Sequence, residues 1–411
     1  MKDKGKKNTL LMGRADWHMR ANAFVILYLI AALVFGVFQK TSEGGEPTWL
    51  TVHLLLLGAV TNAIVTWSDH FVSALLWARS QNRTRQLTII SLLNLGIVGV
   101  LFSVSRHDHA LLVLSGLLMA GVIVYYLRGI TTLIKHSLNK RFKGVIAFYQ
   151  WAALMILVGM TLGVIDAFKS DEDIWQSRIT LAHLHVNLLG WVGLTIIGTL
   201  VTLWPTVLRT QLHEKAIAKA RFGLKFLVVG ISGSILGSLI NQPLILAMSI
   251  VIYLVGSGIT LAPAALLLRM RIPDRSSAWM MFSGIIGLAV LLISEIVLVL
   301  AYRTSEKILT SIEAHLLLIF TLWLLPILLG ALTYLLPVVL GRGPASNRAL
   351  ESTLNFGWRW RIFLFPLSSV FQIFFSKFHN VGRILAAVAL GIFLILALVA
   401  MRRARTFITS L

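Results

Sequence analysis

Four histidines stand near the starts of three strongly apolar runs. His53 lies in 51-TVHLLLLGAV-60, His183 and His185 in 182-AHLHVNLLGWVGLTIIGTLVTLWP-205, and His315 in 314-AHLLLIFTLWLLPILLGALTYLLP-337. An imidazole in hydrocarbon must find partners for its ring nitrogens, because unpaired polar groups are expensive there. One way to meet that demand is a hydrogen bond between helices. The other is ligation, since neutral imidazole is a good axial ligand for haem iron. A copper site built from the same side chains is disfavoured. His183 and His185, two residues apart, point about 200° from one another on a helix and cannot chelate one ion without unwinding it.

The spacing of these residues repeats. His183 and His315 are 132 residues apart, and so are Trp191 and Trp323, Gly198 and Gly330, and Pro205 and Pro337. His53 and His185 share that offset, as do Gly58 and Gly190. One constant offset across His, Trp, Gly and Pro indicates an internal repeat. It defines two positions on each run: Thr51, His183 and His315 at the first, and His53, His185 and Leu317 at the second. The expected pairings are His53 with His185 and His183 with His315. Two facing helices with one histidine each can hold a porphyrin edge-on, with Gly58 and Gly190 relieving crowding and Trp191 and Trp323 packing on the macrocycle.

The elements that carry these residues follow from composition. Of the 411 residues 57% are hydrophobic and 13% charged, with mean hydropathy +0.84. Soluble domains are less apolar and carry about twice the share of charge. Runs of bilayer-spanning length fall at roughly 21–39, 48–78, 86–105, 109–134, 144–168, 179–208, 222–241, 243–268, 278–302, 308–341, 359–377 and 381–401. The expectation is an all-α polytopic membrane protein, a single transmembrane domain over 1–411. Its twelve spans form three pseudo-symmetric sets of four, at approximately 1–142, 143–274 and 275–411. The continuous apolar runs exclude a β-barrel. The first run reads as a span and not a signal peptide, because no small-residue cleavage site follows it.

With no cysteine, disulfides, iron–sulfur clusters and covalently attached haem are excluded. The net charge of +21 is distributed by loop. The N-terminal segment, Arg79/Arg83/Arg85, Lys135 to Lys143, Arg209 to Arg221, Arg269 to Arg275, Arg342 to Arg361 and Arg402 to Arg405 fall on one side. The other side has few basic residues, among them Lys40 and Lys377, and holds Asp171-Glu172-Asp173. The positive-inside rule then places both termini in the cytoplasm, in a cell membrane, with the histidines in the outer half. The charge is topology, and nucleic-acid binding is excluded.

The remaining ionisable residues are secondary. Asp69 is expected to pair with His70 or Arg79, with proton uptake as the functional alternative. Asp166, Glu295 and Glu313 are the other carboxylates at or near membrane depth, where such groups are functional candidates. His18, His107, His109, His136, His213 and His379 fall in loops or span ends, facing water or headgroups.

The pattern H-x-H-x-x-x-L-G-W-x-G-x(4)-G-x-L-x-x-L-x-P, matched from His183 to Pro205, resembles the haem-ligating helix of the haem–copper oxidase superfamily, particularly the cbb3-type catalytic subunit. The resemblance implies twelve helices in pseudo-three-fold arrangement. It implies His183 as ligand to a high-spin haem, and His185 with His53 as ligands to a low-spin haem. The departures are definite: H-x-H stands on the sixth run and not the tenth, and the chain has no His-His dipeptide for a copper site. NnrS-type haem–copper membrane proteins of nitrosative-stress defence are a second group it is similar to. The function expected is electron transfer or oxidoreductase chemistry on a nitrogen oxide or oxygen, with one or two haems b, copper only in a departure from the pattern above, and a quinol or redox protein as partner. The alternative is non-enzymatic haem or copper handling, or nitric-oxide response. A transporter ranks last, because four-helix repeats are parallel and not inverted.

Overall fold

The computed structural model describes residues 13–38, 49–78, 83–137, 139–169, 174–375 and 379–409. Arg79, Lys40, Lys377, Asp171 to Asp173 and the basic N-terminal segment lie outside the described residues. The described regular structure is helical, without strands. Eleven of the helices are long and apolar enough to cross a bilayer. They are α1 (Arg14–Phe38), α2 (Trp49–Leu75), α3 (Arg83–Arg106), α4 (His109–His136), α5 (Lys143–Asp166), α6 (Gln176–Leu208), α7 (Ala216–Leu239), α8 (Pro243–Arg269), α9 (Ser276–Tyr302), α10 (Leu316–Leu340) and, after the shorter α11 (Leu364–Phe374), α12 (His379–Thr409). The chain is a multi-pass membrane protein.

The run at 359–377 forms only the 11-residue α11, about 16 Å long at 1.5 Å per residue and so half of a hydrocarbon core. Its first residues are spent on a cap. Gly357 turns the chain at φ +63°, and the buried Arg361 guanidinium donates to the carbonyls of Leu354 (3.0 Å) and Phe356 (2.9 Å). Those carbonyls end the short helix Pro344–Leu354, which leaves them without intrahelical partners.

α2, α6 and α10 are the buried elements: two thirds or more of each apolar window is inside the protein, against half or less for every other span. The other helices surround them. α1 packs on α2, α5 on α6 and α9 on α10; α3 packs on α4, α7 on α8 and α11 on α12. α4 then packs on α5, α8 on α9, and α12 returns to α1. Lipid tails are as apolar as leucine side chains, so close backbone approach and hydrogen bonds must hold such helices together. The α7–α8 hairpin shows the first device. Gly230 and Gly237 lie seven residues apart on one face of α7. A Cβ at Gly230 would sit 2.7 Å from the Ser249 carbonyl, and one at Gly237 2.7 Å from the Leu246 nitrogen.

All three buried helices contain a π-helical segment: Leu54–Val60 in α2, Val186–Gly193 in α6 and Ile319–Leu324 in α10. These fall at the 132-residue spacing to within a residue or two. The i→i+5 pattern widens the turn and is found mostly as single bulges, often at functional sites. Hydroxyls take up carbonyls in or beside these segments. Thr61 donates to the Leu56 carbonyl (3.0 Å), Tyr253 of α8 to Leu189 (3.0 Å), and Thr321 to Leu317 (3.0 Å).

Candidate functional site

His53 and His185 are the residues immediately before the π segments of α2 and α6. His53 is half-buried. Its Nδ1 donates to the Trp49 carbonyl one turn back (2.8 Å), and its ring stacks on the Trp49 indole at 4.0 Å. The proton is thereby held on Nδ1, leaving the Nε2 lone pair as the ligating nitrogen.

His183 faces α5. Its Nδ1 donates to the Gly159 carbonyl (2.9 Å), which again leaves Nε2 as the acceptor. Asn187, one turn along α6, holds the His183 carbonyl through its Nδ2 (2.8 Å). Room for both side chains comes from two glycines four residues apart on α5. A Cβ on Gly163 would come within 2.6 Å of His183 Cε1, and one on Gly159 would collide with the Asn187 amide. Gly159-x-x-x-Gly163 is a small-residue groove within an apolar span. That spacing is visible in the sequence and was the signal missed.

The two imidazoles meet: the ring centroids of His53 and His183 are 6.4 Å apart, with planes at 26°. The pairing thus differs from the expected His53–His185 and His183–His315. Neutral imidazoles whose Nδ1 protons are held on carbonyls are donors of the kind that would ligate haem iron through Nε2. As donors, the two imidazoles fit the group.

His185 turns the other way. It is buried, with Nδ1 donating to the Leu181 carbonyl (2.7 Å) and Nε2 sharing a proton with Glu295 Oε1 of α9 (2.6 Å). Its second nitrogen is therefore engaged. His315 lies outside α10 proper, at the break after the short helix Ser305–Glu313. It is exposed, with Nδ1 on the Ser311 carbonyl (2.8 Å). The structure brings His53 and His183 together; His185 and His315 are each apart from that pair.

Other expected contacts are replaced. Gly58 makes room for Tyr28 of α1, and Gly190 for Met155 of α5 (2.7 Å to a built Cβ), so neither opens space for a macrocycle. Trp191 donates its indole N–H to Thr61 of α2 (3.1 Å), whereas the buried Trp323 N–H has no hydrogen-bond partner among the described residues. Asp166 accepts from Thr180 (2.7 Å), and Glu313 is exposed. Asp69 accepts from the Gln86 amide and not from His70, which packs edge-on against His18 at 5.2 Å. His18 does not face water or headgroups: it is 2% exposed and stacks on Trp67 at 5.0 Å. His107, His109 and His136 are exposed, and His213 and His379 are half-buried. Among the described residues no group of three or more His, Cys, Asp or Glu side chains is placed to hold a metal ion. No family model matches the chain, and no curated protein matches it.

Proposed function

We propose that the chain is a haem-b-binding membrane protein of the haem–copper oxidase-like group, with the haem held between His53 of α2 and His183 of α6. The observation that carries this reading is the 6.4 Å approach of two imidazoles whose Nδ1 atoms are both committed to carbonyls. A haem bound there would supply one-electron transfer or binding of a diatomic gas. The protein residues fix the tautomers, orient the rings and keep the pair at membrane depth. His185 and Glu295, beside it, hold a shared proton. Electron transfer or oxidoreductase chemistry on a nitrogen oxide or oxygen, with a quinol or redox protein as donor, is the activity this reading implies.

The twelve-helix, three-sets-of-four arrangement belongs to the same proposal. Support comes from the recurrence of packing, first helix on second and fourth on the next first, and from the π segments at one spacing. In a closed ring every interface is heterologous, so a first position meets a second position and never its own kind. His53, a second position, and His183, a first position, obey that rule. Both termini are placed in the cytoplasm on the charge distribution alone.

One observation favours the non-enzymatic alternative, a nitric-oxide-responsive haem protein. His183 is anchored to a different helix, α5, while His53 is tied only to its own. His53 would thus be the residue free to reorient without disturbing a hydrogen bond between helices. Reduced-minus-oxidised spectra and haem stoichiometry of purified protein test both readings. A Soret band lost in His53→Ala and His183→Ala is expected, and its absence in the wild type from a haem-replete host overturns the assignment.

A further inference from the structure

Thr51 and Leu317 occupy the positions at which the 132-residue spacing elsewhere puts histidine. Where these two residues line the space between α2 and α10 there is no imidazole but a cavity of about 790 Å³, walled by α1, α2, α10 and α12. That volume lies within the range of about 300–1,000 Å³ typical of sites that enclose a small organic ligand. Its walls are apolar, among them Leu33, Leu55, Phe320 and Ala387. Phe35 and Ile384, which also line it, are exposed at the surface of the bundle, so the cavity opens sideways to the surrounding hydrocarbon.

Among the described lining residues, polar side chains are confined to Thr51, Asn380 and Arg383. The Arg383 guanidinium makes two long contacts to neutral groups, Gly36 carbonyl at 3.3 Å and Asn380 Oδ1 at 3.5 Å. No described carboxylate lies within ion-pair distance of it. A guanidinium with planar donors to spare is matched by phosphate oxygens. A purely apolar occupant would leave that charge uncompensated next to hydrocarbon, which is costly.

We infer that this cavity is a binding site for an anionic phospholipid, with acyl chains along the α1–α12 opening and the phosphate on Arg383. The apolar body, the lateral opening and the cationic end at Arg383 together select a lipid over a soluble anion.

The test is native mass spectrometry of delipidated, detergent-solubilised full chain, titrated with phosphatidylglycerol and phosphatidylcholine of matched chains. The wild type is expected to bind one phosphatidylglycerol at least tenfold more tightly than phosphatidylcholine. Arg383→Gln should abolish the preference, Arg383→Lys should keep most of it, and Ala387→Trp should exclude both lipids by filling the cavity. Equal affinity for the two lipids in the wild type, or an unchanged preference in Arg383→Gln, overturns the proposal. So does co-purification of a stoichiometric quinone in place of phospholipid. The Gln and Lys variants alter only one half-buried side chain whose contacts are two long hydrogen bonds to neutral groups, so they decide the matter even where the bulkier variant does not accumulate.

Discussion

His183 and His185 sit two residues apart on one helix at one depth, yet they are put to different uses. His183 meets two glycines on α5, which let it come close enough to give its Nδ1 proton to a backbone carbonyl, and its ring lies 6.4 Å from that of His53. His185 meets Glu295 on α9, and the carboxylate takes the nitrogen that a metal would need. The chemistry of an intramembrane histidine is thus set by the neighbouring helix and not by the histidine. A glycine neighbour brings the imidazole onto a backbone carbonyl through Nδ1; a carboxylate neighbour makes a proton-sharing pair through Nε2.

The sharpest way to break this comparison is to remove the histidines one at a time. His53→Ala or His183→Ala is expected to lower haem per chain at least tenfold. His185→Ala should lower it less than twofold. Pyridine-haemochrome assay against protein concentration reads this directly, and a loss in His185→Ala equal to that in His183→Ala would remove the distinction drawn between them. Next in size is Gly163→Leu, which leaves every histidine in place. The new side chain must displace the His183 ring, since even a Cβ there comes within 2.6 Å of it. Haem content is expected to fall several-fold, while Gly121→Leu on α4, where a built Cβ meets nothing within 4 Å, should leave it unchanged.

Much of this arrangement was legible in the residues. The 132-residue spacing marked α2, α6 and α10 as equivalent, and those are the most buried spans and the ones with π segments. The partners of the histidines were not legible. Angular reasoning places His183 and His185 on opposite faces, but it does not say which neighbour lies on which face. That depends on how α5 and α9 are rotated, and Glu295 could be read only as a candidate. His18 was misplaced for a plainer reason. The apolar run begins near residue 21, but α1 begins at Arg14, because exposed Arg14 and Arg20 flank a turn whose other face buries Trp17, His18 and Met19. Length also misled at 359–377, where hydrophobicity persists but the chain spends its first residues on an arginine cap.

A smaller effect sharpens the other half of the comparison. Glu295→Ala leaves the buried His185 Nε2 without its partner, an omission that costs about 1–3 kcal/mol. Glu295→Gln keeps a side chain able to donate to that nitrogen and is expected to cost less than half as much. Unfolding of both variants in mixed micelles, monitored by tryptophan fluorescence, measures the difference. Haem content should be unaffected in either. If Glu295→Ala instead raises haem per chain, the carboxylate is holding His185 away from a second haem, and the two histidines are alike after all.

The smallest expected effect lies in the paired tryptophans. Trp191→Phe removes an indole N–H that donates to Thr61 across the α6–α2 interface, which is worth about 1 kcal/mol. Thr61 keeps its own bond to the Leu56 carbonyl, so no buried group is left stranded and the loss stays near that figure. Trp323→Phe removes an N–H with no partner among the described residues and is expected to be neutral or slightly stabilising. The residue 132 positions on from Thr61 is Gly193, which has no hydroxyl to offer. A glycine is required there because a Cβ would collide with the Tyr253 hydroxyl that holds the Leu189 carbonyl in the π segment. Satisfying the π segment of α6 therefore removes the acceptor that its repeat partner supplies. Equal destabilisation by the two substitutions, in the same unfolding assay, would mean that Trp323 has found another acceptor and that this trade-off is absent.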